Sequence, residues 1–554
     1  MERHHRNVSS AVLLALAAVV LAPSPAAARQ DKTAEIDRIF AWVKPGMPGC
    51  LAAASQDGKL KVNRAYGLAD LERNVPLTTE SLLDAGSIRK QFVAAAILIL
   101  VEEGRLSLSD DVRKHIPELH DFGHTITIDQ LLTHTSGIRD WVPLLNWASG
   151  DPDVMSMILR QRTLIFVPGT EWSYSNSGYV LLPEIVTRVS GMKFSEFLHK
   201  RVLEPLGMKH SRYIDDPDVV IQNRALAYEP QSGGAWRVDM RLGNARGGAG
   251  ALFTTAADLV AWNDALGSGR LGKFVTEKIQ EPATLSNGRK LTYARGISLL
   301  KEGAGRMLLH GGGAAAYRSI AAHFLDHGIS VAVLCNAGEA SDNRDDFAAG
   351  IFDLLAADKG FRRPAPTPPP AGMTGVDVSG RTGLFFNERT GDPLRLTVNN
   401  GRLAIAGGGP LVTLAADRFR AARPSTNFMS NDEFELHFLS QDQFQLESME
   451  GQMTRYRRAQ PWAPSAADLA AFAGRYESDE LSAVFQVAPG KGGVSARLNE
   501  SPTQVFELSP VDPDTFQRGV QTIRFHRDQA GKVVALDLSN PALRKVTFTR
   551  VSGR

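Results

Sequence analysis

The sequence predicts a mixed α/β domain, in which helices pack on one antiparallel sheet, followed by two small antiparallel β-barrels. Three observations lead to this prediction. Strand-like segments lie at both ends of the region 34–360, with helical patterns between them, so the two ends should complete one sheet. A proline-rich stretch then interrupts the chain. Beyond it, short alternating strands separated by glycine-containing turns replace the helical pattern.

The domain boundaries follow from these changes in composition. We predict a signal peptide at 1–28, the α/β domain at 34–360, a linker at 361–376 and β-barrel domains at 377–460 and 465–554. The linker prolines cannot continue a helix or a ladder and favour extended backbone. The two β domains form a weak repeat of about ninety residues. In it, 379–384 resembles 473–478, and 453–458 resembles 546–551.

The composition limits the classes of molecule that the protein is expected to bind. A chain of 554 residues, 43% hydrophobic and 22% charged, can bury a large core. The formal net charge is only +2, and no run of like charges marks a nucleic-acid or anionic-membrane partner. We therefore expect a small-molecule or short-peptide substrate. The oligomeric state is left open.

The N-terminus has the order of a secretory signal. Basic residues at 3–6 precede an apolar run at 11–22 and a small-residue exit at 23–28. The alternative is a membrane anchor, but the run is shorter than the ~20 apolar residues of a span. We expect cleavage after Ala28 and a mature protein that is periplasmic or secreted, without a stable membrane span.

Cysteine is scarce, since only Cys50 and Cys335 are present. Both lie in apolar segments that read as buried strands. We expect two buried free thiols, with a single disulfide as the alternative. Neither has a neighbouring histidine that would indicate a nucleophile.

The sharpest local feature is Ser87 three residues before Lys90, at the start of an apolar helix that should run to Gly104. This spacing places both side chains on one helix face, so the amine can take the proton of the hydroxyl. A lysine sheltered from water has a lowered pKa suited to that task. The free backbone N–H of Ser87 can bind a developing oxyanion. Alone, the pattern is more typical of a solvated helix start with an N-cap serine.

Two further motifs lie downstream. Tyr174 and Asn176 are two apart in the loop 168–176, so both can point to one side, with Tyr174 as proton carrier and Asn176 bound to Lys90 or substrate. His310 precedes three glycines, Gly311, Gly312 and Gly313. The glycines let a substrate lie against a strand, the N–H of Gly313 can be the second oxyanion donor, and His310 can polarise the site or position Tyr174.

Together and in this order, the three motifs resemble those of the serine β-lactamase and penicillin-binding protein superfamily, in its class C-like branch. Segments 131–138 and 248–258 also resemble that family. The resemblance implies an α/β sandwich with Ser87 at the mouth of a cleft. It also implies acylation of Ser87 followed by hydrolysis, without a cofactor.

Histidines also suggest a metal site, which we consider the weaker interpretation. His120 with His124, and His323 with His327, have the spacing of a zinc helix, but neither pair has the accompanying glutamate. We expect no metal. His134 is expected to be structural, at the end of a helix.

The whole-chain plan resembles the D-aminopeptidase family, and 474–481 resembles the final barrel of that family. In that family a loop from the last barrel enters the active site, whereas the matching region here, 517–522, is short and has no acid. We expect hydrolysis of D-amino-acid amides, peptides or simple esters. The alternatives are a carboxylesterase, a class C-type β-lactamase, and a catalytically silent binder of cell-wall fragments or penicillin.

Overall fold

The computed structural model describes residues 25–150, 153–216, 218–240, 250–302, 305–363, 372–373, 375–406, 408–421, 434–448, 453–540 and 543–551. The first 24 residues of the predicted signal peptide lie outside the described residues. So do 364–371 and 374 of the predicted linker. No described helix is long and apolar enough to cross a membrane.

The elements of the α/β domain are given first. Its helices are α1 Pro25–Ile39, α2 Arg89–Glu102, α3 Ile128–Leu132, α4 Val154–Leu159, α5 Gly178–Ser190, α6 Phe194–Leu198, α7 Glu204–Leu206, α8 Ala256–Ser268, α9 Lys273–Ile279 and α10 Arg344–Ala356. Its strands are β1 Cys50–Gln56, β2 Lys59–Tyr66, β3 Leu68–Asp70, β4 Val75–Pro76, β5 Leu83–Asp84, β6 Arg212–Ile214, β7 Tyr228–Pro230, β8 Trp236–Val238, β9 Ala251–Thr254, β10 Ser298–Glu302, β11 Gly305–Ala314, β12 Tyr317–Phe324 and β13 Ile329–Cys335.

The main sheet is antiparallel, and its described strands follow the order β10-β11-β12-β13-β1-β2. The first strand of the domain pairs with the last, which confirms that the two ends of the domain complete one sheet. Helices α1 and α10 pack on one face, and α8 packs on the other. Alternate residues of each strand enter the two resulting cores, as the period of two requires.

Helix α2 lies in the larger core. Its sequence is apolar on every side, and a helix of that kind must be buried on every side. All of its residues from Arg89 to Leu100 are buried, against α5 and α9 among other elements. A 3₁₀ turn, Gly86–Ile88, precedes the helix and packs against β11. This packing fixes the turn that carries Ser87.

The expectation of two free thiols is wrong, because Cys50 and Cys335 form a disulfide. They stand opposite each other on β1 and β13, with Cα atoms 4.0 Å apart. The sequence showed two buried strands but not that these strands are neighbours in register. The bond closes a loop of 285 residues between the two ends of the domain.

The C-terminal region contains two eight-stranded β structures, which confirms the predicted architecture. The first is barrel-like, with strands β14 Gly383–Asn387, β15 Pro393–Asn399, β16 Arg402–Ile405, β17 Val412–Ala415, β18 Arg418–Arg420, β19 Phe434–Phe438, β20 Gln443–Ser448 and β21 Met453–Arg458. Helix α11 Ala466–Phe472 leads into a closed barrel of β22 Gly474–Ser478, β23 Ala483–Gly490, β24 Gly493–Leu498, β25 Val505–Asp512, β26 Thr515–Arg518, β27 Gln521–Arg527, β28 Val533–Asn540 and β29 Leu543–Val551.

The internal repeat has a different register from the one that the sequence suggested. Arg458 donates to the carbonyl of Thr382, just before Gly383. Arg550 donates in the same way to the carbonyl of Ala473, just before Gly474. Gly383 and Gly474, at the starts of β14 and β22, are therefore equivalent. The alignment of 379–384 with 473–478 is therefore wrong by three residues.

We predict that the disulfide stabilises the folded chain. Replacing both Cys50 and Cys335 with alanine should lower the free energy of unfolding by about 2–5 kcal/mol. The reason is that the unfolded chain of the variant, without the bond, regains the conformational entropy of a long loop. Denaturation in urea measures the change. Alkylation of the unfolded wild type without reductant is the control, and labelling of both cysteines there would contradict the disulfide.

Candidate active site

The site is built on the turn that starts α2. Gly86 has φ +55°, and a Cβ built on it would lie 2.6 Å from the backbone nitrogen of Gly313. A side chain at residue 86 would therefore push β11 away. The N–H of Gly86 donates to the buried carboxylate of Asp84 at 2.9 Å, which holds the turn from below. Ser87, the next residue, is half-buried.

Lys90 joins two of the predicted site residues. Its Nζ lies 3.0 Å from Ser87 Oγ and 2.7 Å from Asn176 Oδ1. The side chain is fully buried, and desolvation lowers the pKa of Lys90 well below its ordinary value, assisted by the charge of Arg89. A neutral amine has one lone pair and two N–H groups. It can therefore donate to Asn176 and accept the proton of Ser87.

Tyr174 also lies beside Lys90. The Nζ of Lys90 is 4.7 Å from the centre of the Tyr174 ring. Burial raises the pKa of Tyr174 above its ordinary value, although a hydrogen bond with Ser87 lowers it. Tyr174 is therefore a neutral phenol, able to pass a proton to a leaving group rather than to act as a phenolate base. Lys90 is the better base of the two.

Asp140, which no sequence motif indicated, orients Asn176. Its carboxylate accepts from the backbone N–H of Asn176 at 3.0 Å and from the side-chain amide Nδ2 at 3.1 Å. This pair of bonds turns the Oδ1 of Asn176 towards Lys90. Burial raises the pKa of Asp140, while these hydrogen bonds and the charge of Lys90 lower it. Asp140 lies just beyond the family-like segment 131–138, which was the available signal.

Tyr293, which also lies outside the predicted motifs, joins His134 to His310. The Tyr293 hydroxyl lies 3.2 Å from His134 Nε2 and 3.0 Å from His310 Nε2. His134 Nδ1 accepts from the N–H of Ser175, so its Nε2 carries the proton and donates to Tyr293. His310 Nδ1 donates to the carbonyl of Gly311, so its Nε2 accepts from Tyr293. One assignment of protons therefore satisfies the whole chain.

His310 is held more firmly than the sequence analysis anticipated. Burial lowers the pKa of His310 to about 3, so the ring is neutral across the physiological range. Both ring nitrogens are engaged, and the ring centre lies 6.4 Å from that of Tyr174. His310 is thus placed to shape the site beside Tyr174. His134, at φ +60°, is buried directly after α3, where a structural role was expected.

The three glycines after His310 differ in their surroundings. A Cβ on Gly312 would lie 2.1 Å from the carbonyl oxygen of Ala85, so Gly312 allows β11 to touch the Ser87 turn. A Cβ on Gly313 would meet open space. β10 pairs with β11 only as far as Leu309. Within the described residues, the edge from His310 to Ala314 thus has no second strand. Gly313 and Ala314 are not buried, so this end of the edge can receive an extended substrate.

The histidine pairs with the spacing of a zinc helix contact protein side chains. His323 Nδ1 is bonded to Ser330 Oγ at 2.7 Å, and His327 packs edge-on against Phe352. His120 packs edge-on against Phe122. Among the residues that the structure describes, no group of three or more His, Cys, Asp or Glu side chains is placed to hold a metal ion.

An α/β sandwich in which a Ser-x-x-Lys turn faces a glycine-rich strand defines the class of acyl-transferring serine enzymes that contains β-lactamases and penicillin-binding proteins. The sequence model of the β-lactamase family matches residues 29–354. The chain belongs to this family and is a serine hydrolase.

The similarity to known proteins extends beyond the α/β domain to most of the chain. A D-aminopeptidase from Brucella canis is 25% identical over 529 residues, covering 91% of this chain and 96% of its own length. A D-aminopeptidase from Brucella anthropi is 24% identical over 528 residues, covering 91% and 95%. The solved penicillin-binding protein homologue from Pyrococcus abyssi covers 78% of this chain and 100% of its own, with a TM-score of 0.52 and 22% identity. This structural similarity supports the fold.

We predict that the acidic limb of the pH profile reports Lys90. The rate of serine acylation should fall as pH drops through the pKa of Lys90, because the protonated amine cannot accept a proton. Burial lowers that pKa, so the midpoint should lie well below the ~10.4 of a free lysine. The profile of kcat/KM for an ester measures this midpoint. A midpoint near 10 would contradict a sheltered lysine.

We also predict that the Tyr293 hydroxyl supports the site. Tyr293→Phe leaves two buried imidazole nitrogens without a partner, and each should cost about 1–3 kcal/mol. The free energy of unfolding and kcat should both fall. Tyr476→Phe is the matched control, because that hydroxyl is also buried but donates to the carbonyl of Phe472 in the last barrel. It should lower stability alone, and equal losses of kcat in both variants would contradict the role.

Proposed function

We propose that this protein is an exported hydrolase that cleaves D-amino-acid amides and short peptides through an acyl-Ser87 intermediate. The observation that carries the substrate class is the similarity to D-aminopeptidases over 91% of this chain, which includes both barrels. The serine chemistry rests on the contacts of Lys90 with Ser87 and Asn176.

The reaction follows from the positions of these groups. Lys90 takes the proton of Ser87 as its oxygen attacks the substrate carbonyl. The N–H groups of Ser87 and Gly313 stabilise the oxyanion. The proton passes to the leaving amine through Lys90 and Tyr174, leaving an ester on Ser87. Water then attacks this ester, its proton is taken up by the same groups, and the acid and free Ser87 are released.

Simple esters are the second substrate class, and one observation favours them. The hairpin between β26 and β27 has a two-residue turn at Gly519 and Val520, with Arg518 paired to Gln521. It carries no acid, and its Gln517 accepts a hydrogen bond from Arg395 of the first barrel. An amine-binding carboxylate from this hairpin is therefore missing, which suits a neutral ester.

Export is supported by two features. The N-terminal sequence has the order of a signal peptide, and the Cys50–Cys335 disulfide is of a kind that persists in oxidising compartments. We place the mature protein in the periplasm or outside the cell, beginning at Arg29. The intact mass of protein recovered from the periplasm or medium tests this placement.

The deciding experiment compares substrates. D-alanine p-nitroanilide, its L enantiomer, p-nitrophenyl butyrate and a chromogenic cephalosporin should be tested with the mature protein and with Ser87→Ala. We expect Ser87-dependent cleavage of the D anilide over the L anilide, and cleavage of the ester. The cephalosporin should be a poor substrate, because His310 stands where β-lactamases of the superfamily usually carry a lysine.

Other outcomes reassign the protein. Cleavage of the ester alone would make it a carboxylesterase, and rapid turnover of the cephalosporin would make it a β-lactamase. A stable acyl group on Ser87 without turnover would favour a binder. Equal rates with the wild type and Ser87→Ala would refute the Ser87 mechanism.

A further inference from the structure

The last barrel contacts the catalytic domain beside the active site. Glu480, in the turn between β22 and β23, accepts from Arg139 Nη1 at 2.6 Å. Arg544 and Lys545, at the start of β29, present their backbone carbonyls to the same guanidinium at 3.2–3.3 Å. Arg139 precedes Asp140, the residue that orients Asn176.

The ion pair is buried on both sides. The side chains of Arg139 and Glu480 are 2% and 10% exposed. The fifth hydrogen bond of the guanidinium goes to Thr163 Oγ1 at 3.2 Å. A buried pair of this kind is costly to desolvate, and packed apolar side chains would stabilise an interface equally well. Its geometry therefore serves orientation, which a directional, charge-assisted hydrogen bond supplies better than apolar contact.

The backbone of Arg139 is held as firmly as its side chain. Its N–H donates to Gln161 Oε1 at 3.1 Å, and its carbonyl accepts from Gln161 Nε2 at 3.0 Å. The same carbonyl accepts from Ser177 Oγ at 2.7 Å. Ser177 follows Asn176 in the chain. The residue before Asp140 is thus hydrogen-bonded to the residue after Asn176, and this bond supports the contact between Asp140 and Asn176.

Apolar packing fixes the same segment to the same barrel. Leu144, Trp147 and Met157 of the catalytic domain belong to one buried cluster with the core of the last barrel. The N–H of Ser149 also donates to the carbonyl of Leu481, the residue after Glu480. The segment 139–149 therefore contacts the last barrel at several points between Arg139 and Ser149.

We propose that Glu480 is a positioning residue of the active site. Through Arg139 it holds Asp140, and so Asn176 and Lys90, in the arrangement that lets Lys90 take the proton of Ser87. The last barrel is then a working part of the catalytic apparatus. Its influence arrives through this ion pair rather than through the short hairpin between β26 and β27. The inference rests on the proposed acylation of Ser87, but not on the identity of the substrate.

The test uses the full mature chain and p-nitrophenyl butyrate. Glu480→Gln should lower kcat about 10-fold and Glu480→Ala about 100-fold, with little change in KM, because displacing a catalytic group by about 1 Å costs up to 10²-fold. Glu480→Asp keeps the charge and should fall between the wild type and Glu480→Ala. If Glu480→Gln does not fold, this variant carries the comparison.

The matched control is Asp512→Asn. Asp512 is a buried acid of the same barrel, and it pairs with Arg457 of the first barrel at 2.7 Å. This variant should lose stability but keep kcat within about twofold. A loss of kcat equal to that of Glu480→Gln would overturn the proposal, because any damage to the barrel would then suffice.

A double-mutant cycle separates positioning from general support. If Glu480 acts through Asn176, Glu480→Gln should change kcat less than about twofold in an Asn176→Ala background. Fully additive losses would overturn the proposal. Acylation of wild-type Ser87, followed by intact mass, is measured first. Its absence would overturn the proposed function as well, whereas acylation with an unchanged kcat in Glu480→Gln would overturn this inference alone.

Discussion

The rest of the site depends on the burial of one lysine. Lys90 is enclosed by the larger core, and its amine contacts both Ser87 and Asn176. In water an amine is protonated at neutral pH and cannot accept a proton. Enclosing it removes the solvation that stabilises its charge and so lowers its pKa, which is what the proposed role as general base requires. The apolar α2 helix, the neighbouring α5 and the folded sheet are needed to keep water away.

Burial alone would not orient the Lys90 amine or the groups around it. Two hydrogen-bond networks orient these groups. Asp140 accepts hydrogen bonds from both the backbone and the side chain of Asn176, and the Oδ1 of Asn176 accepts a hydrogen bond from Lys90. The hydrogen-bonded chain from His134 through Tyr293 to His310 is satisfied at both ends by backbone groups. A fully satisfied buried network rigidifies its surroundings. Asn176 and His310 are therefore each held in place by neighbouring polar groups.

Long-range contacts connect this site to the ends of the chain. The disulfide joins the first and last strands of the catalytic sheet, and β11, two strands from β13, supplies the glycine-rich edge. The first barrel also reaches the loop that carries Tyr174, where Arg389 pairs with Glu171. The last barrel reaches Arg139 on the other side of Asn176. The site is thus supported by all three folded parts of the chain.

The sequence by itself determined the fold class and the motifs that meet at the site. The α2 sequence is apolar on every side and so requires that helix to be buried. Residues three apart in sequence, such as Ser87 and Lys90, lie on the same face. Contacts between segments distant in sequence were decided only by the tertiary structure. They include the pairing of Cys50 with Cys335, the placement of Tyr293 between two histidines, and the approach of Glu480 to Arg139. Local patterns encode which face of an element is buried, but strand register and domain docking decide which side chains meet there.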